Sequence, residues 1–191
     1  MELTDRFSRA LTYALDIHRQ QKRKGSDVPY YSHLMAVTAL VLEHGESEDE
    51  AIAALLHDSA EDLGGKPVLD EIEQLFGPHV ACLVFECSDS LVAHKEERPP
   101  WKERKVAYID QIKDKSKSAR LISSADKLHN ARTILRDYRL IGDELWARFR
   151  PDKDDILWYY QSLVQKFKVY QPSPIVDELA RVVADIERMT A

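Results

Sequence analysis

The densest chemistry in this chain lies in Leu55-Leu56-His57-Asp58-Ser59-Ala60-Glu61-Asp62, where the apolar run Ala51 to Leu56 ends in an imidazole and three carboxylates. On a continuous helix, residues four apart share a face, so His57 would stack over Glu61 and Asp58 over Asp62. Carboxylates crowded beside a His-Asp pair are costly to bury unless a positive charge balances them. A divalent ion supplies that balance, and mixed imidazole and carboxylate donors suit Mn, Fe, Co, Ni or Zn. A His-Asp dipeptide alone is weak evidence, since most such pairs sit at surfaces or helix caps. Gly64-Gly65 just beyond is also a helix stop signal. The weight comes from what the rest of the chain places around it.

The helix that must deliver His57 has its own start signal, Ser47 with Glu50 three residues on, the capping-box pattern. Ahead of it, residues 3–21 repeat apolar side chains at helical spacing, from Leu3 and Phe7 to Leu15 and His18. A basic loop, Lys22-Arg23-Lys24-Gly25-Ser26-Asp27-Val28-Pro29, carries turn chemistry. A solvated helix end would look the same, because cations complement the helix dipole. A second helix starts near Ser32-His33 and stops around His44-Gly45. A lone histidine such as His33 is more often a satisfied cap or core residue than a ligand.

Pro67 opens a short helix through Phe76, Gly77-Pro78 breaks it, and residues 79–88 read as another. Residues 88–100, with His94-Lys95-Glu96-Glu97-Arg98, read as a charged loop, either solvated surface or a lid. Residues 101–115 are helical, with Val106 and Ile109 as core. Residues 118–136 follow as a helix with Leu121, Ile122, Ala125, Leu128 and His129 on a buried face. Asp126 lies beside that face, with Asn130 one turn on. A carboxylate in an apolar helix wants a partner, which an ion pair with Lys127 or Arg132 would also supply. His129 faces the apolar side and reads as a structural histidine. The aromatic stripe from Trp146 through Tyr159-Tyr160 to Phe167 reads as core, and residues 174–189 as a final amphipathic helix.

No convincing strand, internal repeat or Gly-rich phosphate loop is present, so the expected fold class is all-α, a single-domain helical bundle over residues 1–191. Its 191 residues suffice for a substantial core. A net charge of -6 argues against a broad nucleic-acid or anionic-membrane surface. No run approaches a membrane-spanning length, and MELTDRFSRA lacks the features of a signal peptide. Cys82 and Cys87 read as core thiols of a cytoplasmic protein.

His33, then His57-Asp58, then a distant Asp126, resembles the HD-domain phosphohydrolases. More narrowly, the chain resembles the hydrolase domain of RelA/SpoT-type enzymes and the stand-alone small alarmone hydrolases. The matching residues are Arg23-Lys24-Gly-Ser-Asp-Val-Pro29-Tyr30-Tyr-Ser-His33, Leu55-Leu56-His57-Asp58-Ser-Ala-Glu61-Asp62, Phe76-Gly77 and Ala125-Asp126-Lys127-Leu128-His129-Asn130. They span residues 3 to about 136, with 137–191 expected to pack on them as C-terminal helices. The order and combination carry the specificity.

The resemblance implies that His33, His57, Asp58 and Asp126 hold the metal, usually manganese (Mn2+) in this family. It makes Glu61 and Asp62 the catalytic acidic pair that orients or deprotonates water. Arg23 and Lys24 would hold a nucleotide, and Tyr30 and Asn130 would contact its base or ribose. The implied activity is removal of the 3′-pyrophosphate from (p)ppGpp-type alarmones of the stringent response. Four features depart from the family pattern: the basic loop is not the commonest spelling, Leu-Gly-Gly-Lys follows Glu61-Asp62, Lys-Glu-Glu-Arg-Pro-Pro-Trp replaces a lysine-rich stretch, and the Trp146 to Tyr160 region does not match the classical members. The choice between guanine and adenine stays open, as does homo-oligomerisation. Two other readings compete: a phosphohydrolase of another nucleotide or phosphorylated cofactor, and a non-catalytic nucleotide-binding module.

Overall fold

A computed structural model describes residues 1–92 and 95–190, with Lys95 described by its backbone alone; His94 lies outside the described residues. Side-chain caps set the helix starts. Thr4 accepts a hydrogen bond from the Arg6 amide and opens α1 (Asp5–Ile17). Tyr30 leads into α2 (Tyr31–His44), which Gly45 ends. Ser47 and Glu50 form the complete capping box of α3 (Glu48–Leu56), satisfying two otherwise orphaned amides. Ser116 caps α8 (Lys117–Ile141), and Asp152 caps α9 (Lys153–Tyr170). Proline occupies the first turn of both α5 (Lys66–Phe76) and α6 (Pro78–Cys87), where its missing N–H has no helical partner to lose. The remaining helices are α4 (Ser59–Leu63), α7 (Trp101–Gln111) and α10 (Pro174–Thr190).

Helix α3 is apolar on every side because it is enclosed on every side: each residue from Ala51 to Leu56 is fully buried. It packs against α1, α2, α6 and α8. The longest helix, α8, spans 25 residues and also contacts α2, α6 and α10. Its buried Leu121, Ile122, Ala125 and Leu128 join a hydrophobic cluster that reaches from Phe7 to Ile186. Each such large side chain contributes about 1.5–3 kcal/mol when taken from water. The all-α expectation holds: among the described residues the only β pairing is an isolated bridge between Lys22 and Pro29.

Several local expectations are corrected. Helix α1 ends at Ile17 rather than running to residue 21, because the chain turns there, with the Gln21 amide donating to the His18 carbonyl. The helix expected to carry His57 through Asp62 is interrupted: α3 stops at Leu56 and α4 starts at Ser59. Helix α7 stops at Gln111, and Val106, expected in the core, is 42% exposed. Cys82, expected to be a core thiol, is exposed; Cys87 is half-buried. No helix among the described residues is long and apolar enough to cross a membrane.

Candidate active site

The break between α3 and α4 sets His57 and Asp58 at a helix junction, where they turn toward α2 and α8. His33, in the first turn of α2, is fully buried and meets His57 with ring centroids 5.3 Å apart. Asp58 Oδ2 lies 3.0 Å from His57 Nε2 and 3.5 Å from His33 Nε2. From α8, Asp126 Oδ1 approaches the same two nitrogens at 3.2 Å from His33 and 3.8 Å from His57. Two helices and one junction thus bring together the four residues named from the sequence. Donor atoms of His33, His57 and Asp58 all lie within 4.8 Å of one another.

Both Nε2 atoms are buried and lack a hydrogen-bond partner. A buried polar atom without a partner is costly, so it marks a position where something else belongs. The His57 Nδ1 proton goes to the Ala54 carbonyl at 2.8 Å, which turns Nε2 toward the carboxylates as the available ligand atom. The electrostatics point the same way. Burial disfavours a charged His57, but Asp58 and Asp126 outweigh it and hold the imidazole well above its usual pKa. Both carboxyls sit well below the usual carboxylate range despite burial, Asp58 chiefly through His57 and Asp126 chiefly through Lys127. Two nitrogen and two oxygen donors in a site that favours positive charge fit a divalent first-row cation.

Each carboxylate is held from outside. The Tyr30 hydroxyl donates to Asp58 Oδ2. Lys127 Nζ pairs with Asp126 Oδ2 at 2.5 Å, and Asn130 Nδ2 donates to Asp126 Oδ1 at 2.5 Å. The ion pair with Lys127 that competed with the ligand reading is present, and it engages Oδ2 while Oδ1 of Asp126 faces the imidazoles.

Glu61 and Asp62 follow on α4. The Glu61 carboxylate accepts the Asp89 amide at 3.1 Å, and Arg98 donates to the Glu61 carbonyl. Burial, and next the Asp89 charge, push the Glu61 carboxyl up to about 7. Asp89 itself is held at about 2 against burial, chiefly by Lys105, which pairs with it at 2.6 Å. Asp62 is oriented differently: Gln21 Nε2 donates to it at 2.7 Å, and His18 Nδ1 in turn donates to Gln21 Oε1 at 2.6 Å.

Next to this acidic corner, a cavity of about 330 Å³ opens between the 21–30 loop, α8 and the segment after it. The loop is held by mutual backbone bonds (Arg23 N to Val28 O and Tyr30 N to Gln21 O, both 2.8 Å). Its tip, Gly25, has φ +68°, and a Cβ there would lie 2.5 Å from Arg148 Cδ, so glycine both makes the turn and lets Arg148 cross. Arg23 donates to Asn130 Oδ1 at 2.7 Å, which links the loop through Asn130 to Asp126. Lys24 Nζ sits 5.2 Å from the centre of the Phe149 ring.

The aromatic stripe read as core is buried but not only core: Tyr159 and Tyr160 are 6% and 7% exposed, and both line this cavity with Phe149. His129, read as a structural histidine on an apolar face, also lines it. Lys105 and Lys127 border both the cavity and the acidic corner. Lys105 was not singled out from the sequence, nor were Asp89 and Gln21, and Lys127 was named only as an ion-pair partner for Asp126 within the matching motif. Arg98 belonged only to a charge run.

The family model described as an HD domain matches residues 10–154, and the chain belongs to the HD-domain family. Within it, the chain is 36% identical over 151 residues to the guanosine-3′,5′-bis(diphosphate) 3′-pyrophosphohydrolase MESH1 of Drosophila melanogaster, an alignment covering 78% of each protein. The human protein of the same name is 35% identical over 144 residues, 74% of each. A solved structure, described as a metazoan ortholog of SpoT that hydrolyzes ppGpp, superposes with a TM-score of 0.76 at 28% identity, covering 100% of this chain and 99% of that one. The resemblance drawn from the four motifs is therefore upheld for the family and the fold.

Proposed function

We propose that this chain is a metal-dependent pyrophosphohydrolase that removes the 3′-pyrophosphate from (p)ppGpp-type alarmones, as the relatives named above are described to do. The observation that carries the reading is a pair of buried, unpartnered imidazole nitrogens facing two carboxylates at the edge of a cation-walled cavity. His33, His57, Asp58 and Asp126 would hold the ion, with Mn2+ as the expected metal. When bound, such an ion acts as a Lewis acid that lowers the pKa of water and polarises a phosphoryl group.

The chain's own residues do the rest. Water attacks the phosphorus attached to the ribose 3′ oxygen. Glu61, its carboxyl raised into the range that suits a general base near neutral pH, takes the proton, and Asp62 orients the water. The P–O bond breaks, the 3′ oxygen leaves as a hydroxyl after gaining a proton, and pyrophosphate departs. Lys105 and Lys127, at the boundary of the two compartments, offset the charge of the departing group. Arg23 and Lys24 grip the nucleotide's phosphates, and Arg can also stack on a purine. Tyr30 and Asn130 border the base or ribose. Residues 1–191 then act as one domain, the motif-bearing part packed against the C-terminal helices, working on a nucleotide in the cytoplasm.

The test is pyrophosphate release from ppGpp and ppApp, side by side, with and without manganese. Manganese-dependent release from either supports the proposal, and the ratio gives the base preference. Metal-loaded protein that releases only inorganic phosphate, or nothing, sinks it in favour of another phosphorylated nucleotide.

A further inference from the structure

His129 takes no part in the reaction above, yet its Nδ1 lies 2.7 Å from Nδ1 of His33. Two ring nitrogens at that distance need one proton between them, since two lone pairs repel and two N–H groups collide. His33 is fully buried, so water does not compete for the contact. Whichever ring donates fixes the tautomer of both.

The neighbouring histidine shows what the arrangement requires. His57 faces a backbone carbonyl, which can only accept, so its Nδ1 carries a proton and its Nε2 is the nitrogen left for a metal ion. His33 faces a second imidazole, which can accept or donate. If His129 donated, the proton of neutral His33 would sit on Nε2, beside Asp126 Oδ1 at 3.2 Å, and would occupy the position a metal ion needs. If His129 accepts, His33 matches His57 and presents Nε2 to Asp58 and Asp126 as the nitrogen left for a metal ion.

We propose that His129 is a positioning residue that accepts the His33 Nδ1–H and so holds His33 in the metal-ready tautomer. The inference rests on the reading of His33 and His57 as metal ligands. It differs from a packing role in one respect: what matters at position 129 is an acceptor, not an apolar ring-sized group. Asn supplies one, because its side-chain oxygen can stand where the imidazole Nδ1 stands; Leu fills similar space and supplies none.

The experiment measures manganese affinity of wild type, His129→Asn and His129→Leu without substrate, which removes any effect of His129 on the nucleotide cavity. The expected result is near-wild-type binding for His129→Asn. His129→Leu should bind about 10- to 100-fold more weakly, the usual consequence of losing a ligand's outer partner. Nitrogen NMR of metal-free wild type supplies a second readout that does not depend on a variant folding. His33 protonated on Nδ1 supports the proposal, and His33 protonated on Nε2 overturns it. Equal affinity of His129→Leu and wild type also overturns it, while wild type that binds no manganese overturns the metal reading itself.

Discussion

The acidic corner and the cavity beside it are neighbours built in opposite ways. His33 stands in the first turn of α2, His57 and Asp58 at a helix junction and Asp126 in the interior of α8, and their partners are near at hand: Ala54, Tyr30, Lys127 and Asn130. The cavity is walled by cations and aromatics from a tight loop, one face of α8 and the chain after it, brought together from far apart in sequence. One half is a fixed nest of negative charge that calls for a cation. The other is a positive, partly aromatic wall suited to phosphates and a flat ring. Lys105 and Lys127 belong to both. Under the proposed function, ion binding depends on few, rigid atoms, whereas substrate binding is shared among many.

That contrast can be broken by mutation, beginning with the largest effect. Asp58→Ala removes one ligand from the rigid half, so metal content and activity should fall together, by about 10³-fold or more in rate; a variant that still holds stoichiometric metal by elemental analysis would show that the corner is not the ion site. Glu61→Gln should keep the metal and lose about 10²- to 10⁴-fold in turnover, and a near-normal rate would remove Glu61 from proton transfer. Arg23→Ala belongs to the distributed half and should raise KM about 10- to 100-fold with kcat largely kept, since a hydrogen bond to a charged group is at stake. A comparable fall in kcat instead would place Arg23 in the transition state.

The pH profile sharpens the same division. Glu61 must be ionised to accept a proton, and its carboxyl is raised to about 7. Activity should therefore fall about tenfold per unit as pH drops below that value, and a bound cation nearby pulls the limb lower. A rate flat from pH 5 to 8 would count against Glu61 as base. Phe149→Ala should give the smallest change, about 3- to 10-fold in KM from a lost ring contact; no change in nucleotide affinity would take Phe149 out of the binding wall.

Much of the fold was legible because its signals are local. Ser47 with Glu50, the Gly77-Pro78 break and the repeat along α8 each depend on a few adjacent residues. The positions of His33, His57, Asp58 and Asp126 on their helices could likewise be read, and the structure brings them to one corner. What escaped depends on packing between distant segments. Helical periodicity places His129 on the α8 face with Ala125 and Leu128, but cannot see that α2 sets His33 against it. Val106 and Cys82 are apolar residues at helical spacing, yet no neighbouring element covers them. Tyr159 and Tyr160 are buried as expected, but one side of the stripe borders a cavity that exists only once α9 returns past α8. The helix interruption after Leu56 was missed because residues 57–62 are individually compatible with a helix.

The crossing of Arg148 over Gly25 also bears on the order in which the protein is made. Arg23 and Asn130 are 107 positions apart, and Gly25 must wait for a residue further on still. Closing loops of that length is the slow, entropically costly part of folding. As the chain emerges from the ribosome, the acidic corner has all four of its residues once α8 is out, while the cavity wall waits for the aromatic segment that follows.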